Sequence, residues 1–94
     1  MRARAGKGDE LVAKFLEVAD IQRDNPACEL MLVSISPKED DVVFLTEVWT
    51  SASEHECARQ SSEVQAWAAQ MPSLVAGPPE TTPLVIQGGK GLAS

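Results

Sequence analysis

Only one imidazole is available to this chain, that of His55. An imidazole titrates near neutrality, so it can take a proton from a weakly acidic substrate and return it later. The plainer reading is a partly exposed residue in the first turn of a short helix. Glu47 is the second candidate for acid/base work. It follows Leu45 and precedes Trp49 on one face of an apolar strand, where a carboxylate has to be paired, hydrated or functional. Pairing with an Arg or Lys, across a subunit boundary included, is the expected arrangement, and a pocket base is the sharper one. Trp49 and Trp67 offer flat walls for an aromatic ligand, although such rings more often fill a core or an interface. Met31 and Met71 suit an adaptable apolar pocket, with core filling as the default. Cys57 stands two residues from His55, but side chains at i and i+2 of a helix diverge, so the two do not form a nucleophilic pair. One His and two separated Cys give no metal-ligand spacing, so no metal is expected. Cys28 and Cys57 read as free thiols in a reducing cytoplasm.

The elements that must position these groups follow from periodicity. In Asp41–Ser51, Val42, Phe44 and Val48 fall on one face of a strand, and Val43, Leu45 and Trp49 on the other. Alternate side chains of a strand point to opposite sides, so this strand is expected to be buried on both faces. Cys28–Ser36 reads as its hairpin partner, with Leu30 and Leu32 on one side and Met31, Val33 and Ile35 on the other. Pro37 to Asp41 is the polar turn between them. A helix is expected from Gly8 or Asp9 to Arg23, with Leu11, Val12, Phe15, Leu16 and Ala19 as its apolar stripe. Asp9 and Glu10 suit its first turn, and Asn25-Pro26 ends it. Ser51 precedes Glu54 at the spacing of a capping box, which predicts a helix over Ala52–Arg59. Ser62 and Gln65 repeat that spacing before a stripe of Val64, Trp67, Ala68, Met71 and Val75. Pro72 predicts a kink or a new turn near Met71. Leu84-Val85-Ile86 is expected to form a last strand, starting at or edged by Pro83. Met1 to Ala5 alternates like the tail of a first strand whose front would lie before Met1.

The order strand, helix, strand, strand, helix, strand is an α+β, ferredoxin-like βαββαβ arrangement. It has a four-stranded antiparallel sheet with helices on one face. The 94 residues form one domain, 1–94, too small to cover both faces of that sheet with its own helices. A second copy of the chain packed on the open sheet face is the expected cover. The net charge of −6, without a basic patch, argues against nucleic acid and against an anionic membrane surface as partners. The longest apolar runs, four residues each as in Leu30 to Val33, are far short of a membrane span. The Arg-rich start is followed by no apolar block, so it does not read as a signal peptide.

Several segments resemble the antibiotic biosynthesis monooxygenase family of the dimeric α/β-barrel superfamily. They are Gly6-Lys7-Gly8-Asp9-Glu10-Leu11, Asn25-Pro26-Ala27-Cys28 and, most of all, Thr46-Glu47-Val48-Trp49-Thr50-Ser51 followed by Glu54-His55. Pro72-Ser73-Leu74-Val75-Ala76-Gly77 and Gly88-Gly89-Lys90-Gly91-Leu92 resemble its quinol monooxygenase branch. The resemblance implies a cytoplasmic homodimer with a pocket between sheet and helices. It also implies oxidation of a quinol or other hydroxyaromatic by molecular oxygen, with neither metal nor flavin as cofactor. His55 would then be the acid/base, with Glu47 as the second catalytic candidate. Trp49, Trp67, Met31, Met71, Phe15 and Leu16 would contact a small aromatic substrate. A haem-degrading branch places an aromatic and a proximal His where Ala58 and Ala68 stand here, and Ala68 cannot ligate iron. Relatives that act on polycyclic phenols use Tyr to hold the substrate oxygen, and this chain has none. The alternative within the same fold is a non-enzymatic dimer that binds a small ligand or serves as an interaction module.

Overall fold

Helix formation near the N-terminus depends on a carboxylate far away in sequence. The computed structural model describes residues 1–91, and Leu92 of the glycine-rich closing motif lies outside them. Helix α1 spans Gly8–Ile21, and its N-cap residue, Lys7, gives no side-chain cap. Asp41 supplies it instead, accepting hydrogen bonds from the Gly6 N–H (3.2 Å) and the Gly8 N–H (3.0 Å). Free N–H groups and the helix dipole both favour a negative charge there. Gly8 is buried against that loop, and the buried face runs on through Leu11, Phe15 and Val18. The stripe is thus turned toward Val18. Leu16, expected within it, is half exposed. The contact at Gly8 fixes this rotation, because a helix face can point only one way once its first turn is docked.

Strand β1, Cys28–Ile35, pairs antiparallel with β2, Val43–Trp49. Met31, Val33 and Ile35 face Glu47, Leu45 and Val43; Leu30, Leu32 and Ser34 face Val48, Thr46 and Phe44. A bulge between Cys28 and Leu30 adds one residue to β1 beside the end of β2. The first of these faces meets the helices: Val43 is fully buried, and Val33 and Leu45 pack on the cluster of Ala3, Leu11, Phe15 and Met71. On the other face, Leu32 and Phe44 remain 53% and 50% exposed. The expectation of burial on both faces is met on one side only within a single subunit.

Among the described residues, two strands are formed where four were expected. The first is reduced to single bridges, Arg2 with Val42 and Ala3 with Val75. Its backbone is held by Val43 N–H to Met1 O at 2.9 Å and by Arg4 N–H to Leu74 O at 2.8 Å. The place of a fourth strand beside these residues is taken by the stretch at Val75, where Ala76 N–H reaches Arg2 O at 2.9 Å. Leu84-Val85-Ile86, the expected last strand, is irregular instead, with Leu84 83% and Val85 84% exposed. No backbone–backbone hydrogen bond reaches residues 77–91 among the described residues. Pro78, Pro79 and Pro83 each lack the donor a ladder needs, and they keep this segment out of the sheet.

Helix α2, Ala52–Arg59, starts at the expected cap: Ser51 Oγ accepts from the Glu54 N–H at 3.1 Å. Helix α3, Ser62–Ala68, is capped one residue earlier than expected, by Ser61 accepting from the Val64 N–H at 3.2 Å. It stops before Pro72, which sits in a separate 3-10 turn over Met71–Ser73. The break near Met71 is the one the proline predicts. Among the described residues, no helix is long and apolar enough to cross a membrane.

Candidate functional site

Alternation on β2 places Val43, Leu45, Glu47 and Trp49 on the helix-facing side. The chain then turns into α2 within two residues. Thr50 N–H donates to Ala27 O at 2.9 Å, which ties the end of β2 to the loop before β1. The Ser51 cap sets the direction of α2, and His55 N–H closes the first turn onto Ser51 O at 3.2 Å. The first-turn residue His55 is thereby folded back over the strand it has just left.

Its imidazole stacks on the Trp49 indole, with ring centroids 5.1 Å apart and planes inclined by 29°. The indole N–H of Trp49 donates to Glu47 Oε1 at 3.1 Å. The same oxygen lies 3.7 Å from His55 Nε2. One carboxylate oxygen is therefore shared by an indole donor and an imidazole edge. The His55 and Glu47 side chains are 40% and 29% exposed, so the cluster is open on one side and sheltered on the other. Glu47 was expected to pair with Arg or Lys. Within the subunit its partners are Trp49 and His55, because the preceding strand brings Met31 rather than a cation opposite it.

Cys28 is the cross-strand partner of Trp49. Its thiol is held above the usual cysteine range, first by burial and then by the nearby negative charge of Glu47; a contact with the Leu30 carbonyl opposes this in part. It stays protonated at neutral pH, and so adds no second negative charge to the cluster.

Of the other residues singled out in the sequence, Met31 borders the cluster from β1 and the rest lie elsewhere. Phe15 and Trp67 pack on each other, with ring centroids 6.1 Å apart, and Met71 belongs to the same core. Trp67 is fixed there by its indole N–H, which donates to Lys14 O at 2.5 Å. These three fill the space between α1, α3 and the sheet. Met31 is the cross-strand partner of Glu47 and borders a hollow of about 200 Å³ with Ala19, Cys28 and Leu30. Another hollow, of about 480 Å³, lies between α1 and the 3-10 turn, lined by Glu10, Ala13, Lys14, Gln70, Ser73 and Leu74. Glu47, Trp49 and His55 line neither. The larger hollow gathers one half-buried Lys, Lys14, and one exposed Glu, Glu10, and neither a His nor a Cys. Among the described residues, no three His, Cys, Asp or Glu side chains gather where they could hold a metal ion.

The bulge at Cys28 to Leu30 and the cross-strand position of Cys28 were not foreseen. Register shifts of one residue leave no mark in the apolar pattern, and only an irregular strand end next to Pro26 hinted at one.

Residues 1–70 match the model of a family described as "Antibiotic biosynthesis monooxygenase". The matched residues include the whole Glu47–Trp49–His55 cluster. A crystal structure of a "putative Antibiotic biosynthesis monooxygenase" from Chloroflexus aurantiacus J-10-fl is 33% identical, with a TM-score of 0.78; the match covers 99% of this chain and 92% of that one. A second crystal structure, of a protein from Deinococcus radiodurans described in the same words, is 19% identical, with a TM-score of 0.72 over 93% of this chain and 92% of that one. At that identity it speaks for the fold alone. No curated protein matches the chain.

Proposed function

The chain belongs to the antibiotic biosynthesis monooxygenase family, and we propose that it is a cofactor-independent monooxygenase that oxidises a quinol or other hydroxyaromatic small molecule with molecular oxygen. The observation that carries this reading is the shared oxygen of Glu47, which brings an imidazole and an indole to one point.

Such chemistry asks little of the protein. His55 takes the phenolic proton, and the anion left behind is electron-rich enough to pass one electron to oxygen. Recombination of the two radicals forms a carbon–oxygen bond and gives a peroxide anion, which takes its proton back from His55 to become a hydroperoxide. The oxygen–oxygen bond then breaks as the same carbon loses its hydrogen, so that the outer oxygen leaves as water and the carbon becomes a carbonyl. One hydroxyaromatic and one O2 become one quinone and one water. Glu47 stabilises the imidazolium formed in the first step, and its charge is worth most where water is scarce. Trp49 gives the site a flat apolar wall, to which a planar substrate is suited.

The reading includes a homodimer formed through the open sheet face. Leu30, Leu32, Phe44 and Val48 share that face, opposite the site, so two subunits can join without covering either cluster. A patch of large apolar side chains there calls for a partner.

Oxygen uptake with a panel of quinols and naphthols tests the activity. The expected result is uptake by the wild-type protein, reduced roughly 100-fold or more by His55→Ala, the range of general-base contributions. Uptake unchanged in His55→Ala would remove that residue's role. Absence of uptake with every substrate would favour a ligand-binding or interaction module of the same fold, a reading that the open, shallow setting of the cluster also suits.

A further inference from the structure

The reading of His55 as the base leaves open which ring nitrogen accepts the proton. We propose that Glu47 and Trp49 decide it: they hold the neutral imidazole with its proton on Nε2, so that Nδ1 is the atom that works, and Trp49 is a positioning residue rather than only a wall.

The argument starts from Glu47 Oε1. A carboxylate is an acceptor only. A nitrogen facing it lowers its energy by carrying a proton and raises it by presenting a lone pair. His55 Nε2 faces that oxygen at 3.7 Å. This is longer than a hydrogen bond, but a full negative charge acts well beyond hydrogen-bond range in a half-sheltered site. His55 Nδ1 has no hydrogen-bond partner among the described residues, and it is not sealed from solvent, because no buried side-chain nitrogen or oxygen is left without a partner. The nitrogen with the lone pair is thus the one that a substrate hydroxyl can approach.

Trp49 enters twice. Its N–H holds Glu47 Oε1 at 3.1 Å, which keeps a partly exposed carboxylate from rotating into water. Its ring holds the imidazole plane by stacking. The two contacts fix both ends of the Glu47–His55 approach from a single strand position. The bulge beside Trp49 lies where a re-aimed side chain would need it. The neutral Cys28 thiol opposite Trp49 brings no competing anion.

This assignment rests on His55 being the base, but its test does not need turnover. Long-range nitrogen-15 correlation spectra of the full chain, at a pH where His55 is neutral, report the tautomer directly. The Nε2–H form is expected to dominate in the wild type. Glu47→Ala should shift the ratio toward Nδ1–H by about threefold or more, and Trp49→Phe, which keeps a stacking ring but removes the donor, should shift it in the same direction by less. Glu47→Gln, read the same way, replaces Glu47→Ala if that variant fails to fold. A dominant Nδ1–H form in the wild type, or an unchanged ratio in both the Glu47 and Trp49 variants, overturns the proposal. A chain that oxidises no quinol but shows these shifts upholds it while the monooxygenase reading falls.

Discussion

Replacing Gly8 by Ala should destabilise the protein, although alanine is ordinarily the better helix residue. A glycine inside a helix gives up about 1 kcal/mol relative to Ala, and less at the first position, so propensity alone predicts a gain. The structure predicts the opposite. A Cβ at Gly8 would lie 2.2 Å from Asp40 O, 3.0 Å from Asp40 C and 2.9 Å from Asp41 Oδ1, whereas ordinary contact begins at 3.4 Å. Two of those atoms are backbone, so the β1–β2 loop must withdraw as a unit. Withdrawal takes the Asp41 carboxylate off the Gly6 and Gly8 N–H groups, and hydrogen bonds to a charged group contribute about 1.5–3 kcal/mol each when sheltered. Discounting for the exposure of Gly6, the net loss is about 2–3 kcal/mol, a large part of the 5–15 kcal/mol margin typical of a domain. Urea unfolding followed by circular dichroism measures it. A cycle with Asp41→Asn sharpens the test: that change should cost about 1–2 kcal/mol in the wild type and almost nothing beside Gly8→Ala, because the carboxylate is already displaced. An unchanged or higher midpoint for Gly8→Ala would refute the reasoning.

Val48→Glu, on the open sheet face, should dissociate the proposed dimer, since an unpaired buried charge costs about 3–5 kcal/mol; light scattering that shows the same mass for both proteins would count against that interface. Ser51→Ala removes the α2 cap and should cost about 1 kcal/mol, with a loss of the Trp49–His55 stack visible in tryptophan fluorescence. Cys28, with its thiol pKa raised in the fold, keeps its proton where the unfolded thiol would begin to lose it. The stability this represents is complete below the ordinary cysteine range and is lost as pH rises through the higher folded value. Alkylation under native conditions should therefore modify exposed Cys57 well before Cys28, and equal rates at mildly alkaline pH would contradict the burial of Cys28.

What the sequence made legible is what local patterns encode. The strands of the hairpin, the start of α2 at Ser51 and the break at Pro72 each rest on a few neighbouring residues, and each was readable. The membership of Glu47 and Trp49 in one face follows from alternation, whereas the nearness of His55 was not foreseen, because it depends on the direction that the Ser51 cap gives α2. Other features were invisible because their causes are distant. The cap of α1 comes from Asp41, more than thirty positions away, and it rotates the helix so that Val18, not Leu16, is buried. The fourth position at the sheet went to Val75 because Arg2 and Arg4 offered it backbone partners, while the more apolar Leu84-Val85-Ile86 follows three prolines. Apolar content alone could not rank these two. Trp67, Phe15 and Met71 were candidates for a pocket by residue type, but the same properties made them core, and no local signal separates the two outcomes.

The cluster's position also says how firmly it is built. Helix α2 has no buried residue, so apolar packing does little to hold it. Its place depends on the Ser51 cap, the Thr50–Ala27 hydrogen bond and the stack of His55 on Trp49. The strand side of the site is the opposite case, because Val43 and Leu45 anchor β2 in the core and carry Glu47 and Trp49 with it. One half of the site is thus rigid and the other lightly held. A substrate lodged against Trp49 and His55 would add the apolar contact that α2 lacks, and would tighten the helix at the moment the base is needed. On the proposed reading the base rides on a helix without a buried residue, which can admit a flat ligand without disturbing the core, and the Glu47 carboxylate, held from the strand, gives the imidazole one position to return to.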